Sequence, residues 1–156
     1  EKPLPDSFVL LHPYSRGAGK SIAHEDIPFL LESFAPRKVV VVGHPAENAL
    51  SPEGDHITNL CGQTTLGELL WLCRNASSVV SVDSGPLHIA AAVNPNVVGI
   101  HTWSDPRRVG PYTASSLVWK GGILGRVAAL TAEAAAASTL PTRSDLREIA
   151  TAGADA

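Results

Sequence analysis

Short, uninterrupted runs of apolar residues recur along the chain and alternate with segments whose apolar residues are spaced at helical intervals. The uninterrupted runs predict buried parallel strands, because strands covered on both faces lack polar alternation. Helical spacing is clearest from Leu66 to Asn75, where Thr64 or Thr65 can cap the helix. Further helices are predicted over residues 25–34 and 87–93. The predicted strands are residues 8–12, 38–43, 57–60, 78–82, 96–101 and 116–119.

This alternation predicts an α/β fold, a Rossmann-like parallel sheet of about six strands in three layers with helices on both faces. The length of 156 residues is that of one domain, so residues 1–156 are predicted to form a single unit. The tail from about residue 120 is expected to be helical and partly peripheral, with a helix over 127–137 and frayed residues 151–156. Because the chain begins at Glu1 and contains no Met, we expect it to be a piece of a longer protein.

Composition narrows the class of protein. Hydrophobic residues make up 44% and charged residues 17%, which is typical of a globular domain. The net charge of -3 gives no general attraction to nucleic acid, and no apolar run reaches membrane-spanning length. Cys61 and Cys73 fit no metal or disulfide pattern, so we expect buried free thiols.

The strongest chemical signal follows the fourth predicted strand, at Asp83-Ser84-Gly85-Pro86-Leu87-His88. A strand, a tight turn and a helix start follow one another here, and the first amides of a helix can bind an anion. Small side chains at Ser84 and Gly85 would let a phosphate approach the backbone, with Asp83 and His88 at its flanks. The alternative is an ordinary turn in which Asp83 or Ser84 caps the helix.

A second signal is the loop Ser15 to Ser21, which is basic and rich in glycine and hydroxyl groups. Such a loop can wrap a diphosphate, with Lys20 supplying charge and Ser15 a hydrogen bond. The alternative is a solvated surface loop. A P-loop is disfavoured because Tyr14 stands where that pattern needs glycine.

Two other kinds of site are disfavoured. Ser84 sits at a strand–helix corner, but Val82 and Pro86 occupy the glycine positions of a hydrolase nucleophile elbow. His12, His44 and His101 follow predicted strands without metal-ligand spacing. We therefore predict no metal site, and we interpret these histidines as hydrogen-bonded residues at strand ends.

The order of motifs resembles the C-terminal domain of ADP-heptose–lipopolysaccharide heptosyltransferases, glycosyltransferase family 9. The resemblance runs from about Phe8 to Trp119, and the Asp-Ser-Gly-x-x-His-x-Ala-Ala element at residues 83–91 is its most specific part. The motifs are the segments 12–16 with Lys20, 39–43 with Glu47, 59–69, 80–91, 104–106 and 110–112.

The resemblance implies the C-terminal half of a two-domain GT-B glycosyltransferase, with the N-terminal acceptor domain and its catalytic base absent. Ser15 and Lys20 would hold the diphosphate, Glu47 would accept from the ribose and Thr64 would border the base. Asp83 would bind the sugar. Around the sugar and diphosphate would lie Ser84, Gly85, Pro86 and His88.

The reaction implied is inverting transfer of heptose or a related sugar from a nucleotide-diphosphate sugar, possibly ADP-heptose, without an obligatory metal or cofactor. The acceptor would be the lipopolysaccharide core or another glycan or lipid-linked acceptor, and the location cytoplasmic, at the inner membrane. Ile22-Ala23-His24 stands where the family often has Trp-Pro, which leaves the sugar open. The alternative function is a non-catalytic nucleotide-binding module or another nucleotide-dependent enzyme on the same fold.

Overall fold

A computed structural model describes residues 3–15, 22–50, 52–110, 113 and 115–154. Its strands coincide closely with the apolar runs of the sequence. The strands are β1 (Val9–His12), β2 (Val39–Val41), β3 (Ile57–Asn59), β4 (Ser78–Val82), β5 (Val97–Ile100), β6 (Leu117–Lys120) and β7 (Ile123–Gly125). The α-helices are α1 (Ile27–Phe34), α2 (Leu66–Asn75), α3 (Gly85–Val93), α4 (Pro106–Val109), α5 (Ala132–Ala136) and α6 (Arg143–Ala154). Three 3-10 helices cover His24–Asp26, Pro45–Leu50 and Val127–Ala129.

The strands form one sheet in the order β3-β2-β1-β4-β5-β6-β7. All neighbouring pairs are parallel except β6 and β7, so the predicted parallel sheet is confirmed. The chain builds outward from β1 to β3 and then returns to place β4 on the other side of β1. This reversal makes the carboxyl ends of β1 and β4 the switch point at which ligands bind in open parallel sheets.

Two apolar cores cover the two faces of the sheet. Side chains of β1 alternate between them, because successive residues of a strand point to opposite faces. Val9 and Leu11 pack into one core, with residues of α1 and α6, while Leu10 packs into the other, with residues of α2 and α3. The three-layer arrangement expected from the sequence follows from this division.

The tail differs from the expectation in three ways. Gly121 and Gly122, at φ values of 56° and 87°, turn the chain into the antiparallel strand β7, as two-residue hairpin turns require. The helix expected over 127–137 is divided, because the Thr131 hydroxyl accepts from the Ala134 amide and starts α5 there. Helix α6 extends to Ala154 and buries Leu146 and Ile149 in the core beside α1.

Candidate functional site

The switch point is built from a strand, a short turn and a helix start. The Asp83 amide donates to the Ile100 carbonyl at 3.1 Å, which extends the pairing of β4 with β5 just past the end of β4. Ser84 is the N-cap residue of α3 in extended conformation, and Pro86 lies in the first turn, where its fixed φ suits a helix and its missing N–H costs nothing. The turn therefore directs the amino end of α3 toward the carboxyl edge of the sheet.

Ser84 does not cap α3 with its side chain. Its hydroxyl lies 3.1 Å from Nδ1 of His12, at the end of β1, and Ser81 Oγ lies 3.5 Å from the same nitrogen. Burial lowers the pKa of His12 from 6.5 to about 4, so this imidazole is neutral at pH 7. In the described part of the chain, α3 thus begins without a side-chain cap.

None of the described residues fills the space in front of this helix start. A Cβ placed on Gly85 would meet no atom of the described residues within 4 Å. The Gly85 amide lies at the positive end of the helix dipole, and the absent side chain leaves it accessible, whereas Pro86 has no N–H and the Leu87 amide donates to the Ser84 carbonyl at 3.1 Å. The arrangement can bind an anion such as a phosphate.

Asp83 and His88 lie next to this helix start. His88 Nε2 is 3.7 Å from Asp83 Oδ1, and the side chain of His88 is 41% exposed whereas that of Asp83 is 10% exposed. A buried carboxylate beside an exposed imidazole offers an acceptor and a donor at the same edge. Such a pair can position a polyhydroxylated ligand.

Glu47 is held at the carboxyl end of β2 by the loop that follows. Its Oε2 accepts from the His44 amide at 2.7 Å, and a Cβ on Gly43 would lie 2.5 Å from that oxygen and 2.9 Å from Cδ2 of Tyr14. Glu47 therefore lies close to Tyr14, the neighbour of Ser15. The structure brings the predicted ribose-binding residue to the ends of β1 and β2.

Thr64 lies apart from Asp83 and Ser84, beyond the end of the edge strand β3. It lines a cavity of about 540 Å³ between β3 and α2, together with Asn59, Gln63 and Trp71. Because β3 is separated from β4 by two strands, this cavity is distinct from the open space at Gly85.

Ser15 follows the end of β1 by three residues and is half-buried. Lys20 and the rest of the predicted phosphate loop, residues 16–21, lie outside the described residues. Described positions are thus available for Ser15, Glu47, Thr64, Asp83, Ser84, Gly85, Pro86 and His88. Their roles toward a ligand stay predictions.

The interpretation of the strand-end histidines as hydrogen-bonded residues is confirmed. His12 contacts Ser84, His44 Nδ1 accepts from the Ala46 amide at 3.3 Å, and His101 Nδ1 lies 3.1 Å from Ser104 Oγ. Burial, above all, lowers the pKa of His101 to about 4. Among the described residues, no group of three or more His, Cys, Asp or Glu side chains could hold a metal ion.

Sequence reasoning missed Lys120, a buried lysine that lies beneath the loop after β5 and hydrogen-bonds to it. Lys120 is fully buried, and its ammonium donates to the Thr102 carbonyl at 2.7 Å and also to the Ala137 carbonyl. The desolvation of this side chain lowers the pKa of Lys120. The only sequence signal is a lysine closing an apolar run, and that pattern usually indicates a residue reaching solvent.

Two further expectations from composition concern the cysteines and membrane-spanning segments. Cys61 and Cys73 are buried and form no disulfide within the described residues, and burial raises the pKa of Cys73 to about 11. None of the helices in the described ranges is long and apolar enough to cross a membrane.

The fold and the strand-end site define an α/β domain of the kind that makes up one half of a GT-B glycosyltransferase. The family model for glycosyltransferase family 9 (heptosyltransferase) matches residues 10–134. The chain belongs to this family.

Similar proteins agree with this assignment. The chain is 34% identical over 86 residues to lipooligosaccharide heptosyltransferase 2 of Haemophilus influenzae, covering 54% of the chain and 25% of that protein. The solved ADP-heptose lipopolysaccharide heptosyltransferase II of E. coli is similar at a TM-score of 0.72 and 19% identity, over 96% of the chain and 46% of that structure. The E. coli heptosyltransferase WaaC solved with ADP is similar at a TM-score of 0.66 and 21% identity, over 85% of the chain and 43% of that structure. The chain thus spans less than half the length of each of these proteins.

Proposed function

We propose that this chain is the donor-binding half of an inverting glycosyltransferase and binds a nucleotide-diphosphate sugar, ADP-heptose or a close relative. The observation that carries the proposal is the uncapped start of α3, with open space at Gly85 and the Asp83–His88 pair beside it. A diphosphate needs positive potential and donors, and the Gly85 amide at the positive end of the α3 dipole supplies both without a metal. The related E. coli proteins are named for ADP-heptose or solved with ADP, which supports the nucleotide.

The roles follow the order of the elements along the sheet. The diphosphate lies over Ser84 and Gly85 at the start of α3, where Pro86 fixes the first turn. Ser15 supplies a hydrogen bond to it, and Lys20, which lies outside the described residues, supplies charge. The ribose reaches Glu47, and the base lies toward Thr64. Asp83 and His88 contact the sugar, because they lie beside the helix start, with the exposed His88 imidazole 3.7 Å from the Asp83 carboxylate.

The transfer itself requires a second domain. We propose that an N-terminal domain supplies the acceptor site and the catalytic base, and that the acceptor is the lipopolysaccharide core or a similar glycan. The whole protein would act in the cytoplasm at the inner face of the inner membrane, where such acceptors are assembled. On this proposal the 156-residue chain binds the donor but does not transfer the sugar.

The sharpest test is Gly85→Ala. The added methyl group meets no described atom within 4 Å, so the fold tolerates it, but it occupies the space through which a phosphate would reach the Gly85 amide. We expect the affinity for ADP, measured by titration calorimetry, to fall about 10-fold or more, since a hydrogen bond to a charged group is worth roughly 1.5–3 kcal/mol.

The matched control is Gly125→Ala, which adds the same methyl group on β7, three strands away from β4. This variant is expected to bind ADP like the parent. A parent that binds neither ADP nor ADP-heptose would contradict the proposed function. Equal ADP affinity in Gly85→Ala and the parent would contradict the phosphate site at α3.

A further inference from the structure

The loop after β5, residues Thr102–Asp105, carries a half-exposed tryptophan on a support of buried polar groups. Trp103 is 53% exposed, whereas Trp119, on the neighbouring strand β6, is 1% exposed. A tryptophan with about half of its surface exposed is typical of binding surfaces. The two residues on either side of Trp103, Thr102 and Ser104, are buried.

Two buried contacts fix this loop from below: the Lys120 ammonium donates to the Thr102 carbonyl, and His101 Nδ1 lies 3.1 Å from Ser104 Oγ. At the surface end of the loop, Asp105 accepts from the Arg107 amide at 2.9 Å to start α4. Burying a lysine costs free energy unless its hydrogen bonds return it, and the Lys120 ammonium donates to two carbonyls, those of Thr102 and Ala137. The support therefore holds the backbone on both sides of Trp103 in one conformation.

The loop lies beside the proposed sugar-binding pair. The Asp83 amide bonds to the Ile100 carbonyl, so Asp83 and His101 occupy adjacent strand ends, and Trp103 follows His101 by two residues. The exposed indole and the polar pair thus share one edge of the sheet.

We propose that Trp103 is a stacking platform for the sugar ring of the donor and determines the preference for a nucleotide sugar over the bare nucleotide. The inference rests on the proposed function. A pyranose presents an apolar face of C–H groups and an edge of hydroxyl groups. The indole covers the apolar face, while Asp83 and His88 bind the hydroxyl groups. A platform that is rigid before binding loses little conformational freedom when the sugar docks.

The test compares the affinities of the 156-residue chain for ADP and for ADP-heptose, and the quantity of interest is their ratio. Trp103→Ala is expected to weaken ADP-heptose about 10-fold, the loss of one aromatic contact, and to leave ADP unchanged. Trp103→Phe keeps an aromatic face and is expected to retain most of the ratio. The control is Trp71→Ala, which removes an equally exposed tryptophan (52%) that lines the Thr64 cavity. Because ADP and ADP-heptose share the base proposed to lie toward Thr64, any change there falls on both ligands alike, and the ratio is expected to stay as in the parent.

The outcomes separate this inference from the proposed function. If the parent binds ADP-heptose and Trp103→Ala binds it equally well, the platform is wrong and the donor site stands. If Trp103→Ala weakens ADP and ADP-heptose by the same factor, the ring does not contact the sugar, and the inference is overturned. A change of the ratio in Trp71→Ala as large as in Trp103→Ala would also overturn it. Binding of neither ligand by the parent would reject the proposed function and this inference with it.

Discussion

Helices α2 and α3 both begin at the carboxyl edge of the sheet, each after a hydroxyl residue, and they use that residue differently. At α2 the Thr65 hydroxyl accepts from the Glu68 amide and the Glu68 carboxylate accepts from the Thr65 amide, both at 3.1 Å. This reciprocal capping box satisfies the helix start within the chain. At α3 the Ser84 hydroxyl contacts His12 instead.

The start of α2 is therefore satisfied within the chain, whereas the start of α3 is available to a ligand. The glycine near each helix start differs in the same way. Gly62, four residues before α2, has a φ of 74° and lies against Pro45, while Gly85, the first residue of α3, borders open space. We infer that substitutions near α2 affect folding and that those at α3 affect binding.

The largest expected effect is that of Gly62→Ala. A Cβ at this position would lie 2.6 Å from the Pro45 Cα, and the left-handed backbone disfavours any side chain. Overpacking costs roughly 1–3 kcal/mol and the left-handed conformation roughly 1–2 kcal/mol, so we expect a loss of about 3 kcal/mol in the free energy of unfolding. Urea denaturation measures the loss, with Gly85→Ala as the matched glycine variant.

Gly85→Ala is expected to change the free energy of unfolding by no more than about 0.5 kcal/mol, because its methyl group meets no described neighbour. Equal losses in the two variants would remove the distinction between the two helix starts.

The second effect is a dependence of the free energy of unfolding on pH, caused by His12, which contacts Ser84 at the start of α3. His12 has a folded pKa of about 4 against an ordinary value of 6.5, because burial disfavours its charged form. Neutral His12 therefore makes the folded chain less stable as the pH falls from 6.5 toward 4, because the unfolded chain takes up a proton that the folded chain excludes. Above pH 6.5 this loss of stability is absent. Between pH 6.5 and 5 the loss is about 2 kcal/mol, at 1.36 kcal/mol per pKa unit.

The comparison that isolates His12 is the variant His12→Asn, whose amide can still meet the Ser84 hydroxyl. The titration of His101, whose folded pKa is also about 4, is present in both proteins and cancels in the difference. Thermal or urea unfolding at pH 7 and pH 5 is expected to show a smaller loss in the variant. Identical pH dependence in the two proteins would show that His12 is accessible to protons in the fold.

The smallest expected effect is the removal of the two hydroxyl groups. Thr65→Ala deletes a side-chain cap and is expected to cost about 1 kcal/mol. Ser84→Ala deletes no cap, and Ser81 Oγ lies 3.5 Å from the same His12 nitrogen, so we expect a loss of about 0.5 kcal/mol. Chemical denaturation at pH 7 compares the two variants. A larger loss for Ser84→Ala than for Thr65→Ala would assign a structural role to Ser84.

Much of the fold could be predicted because its signals are local. Val39–Val41 and Ser78–Val82 are continuous apolar or small runs, and such runs predict buried parallel strands wherever they occur. The hairpin at Gly121 and Gly122 also had a local signal, but a short strand of three residues gives too little periodicity to be distinguished from a loop.

Part of the candidate site could likewise be predicted from local sequence, and part could not. Asp83, Ser84, Gly85 and His88 could be identified from the sequence because one strand–turn–helix unit of consecutive residues contains them all. The sequence could not assign the Ser84 hydroxyl, since a serine before a helix is usually its cap. Its partner, His12, lies 72 residues away and becomes a neighbour only because β1 and β4 pair.

The sequence by itself determined the strands up to β6, the helices α1 to α3, the parallel sheet and the edge at which a ligand would bind, because apolar periodicity and turn chemistry act over a few residues. Only the tertiary structure decided which polar groups form hydrogen bonds inside the fold and which remain accessible to a ligand. It buried Lys120 beneath Thr102, turned Ser84 toward His12 and left Trp103 exposed on the loop after β5. These choices depend on which strand ends meet, and contacts between distant parts of the chain are set by packing across the whole sheet rather than by local sequence.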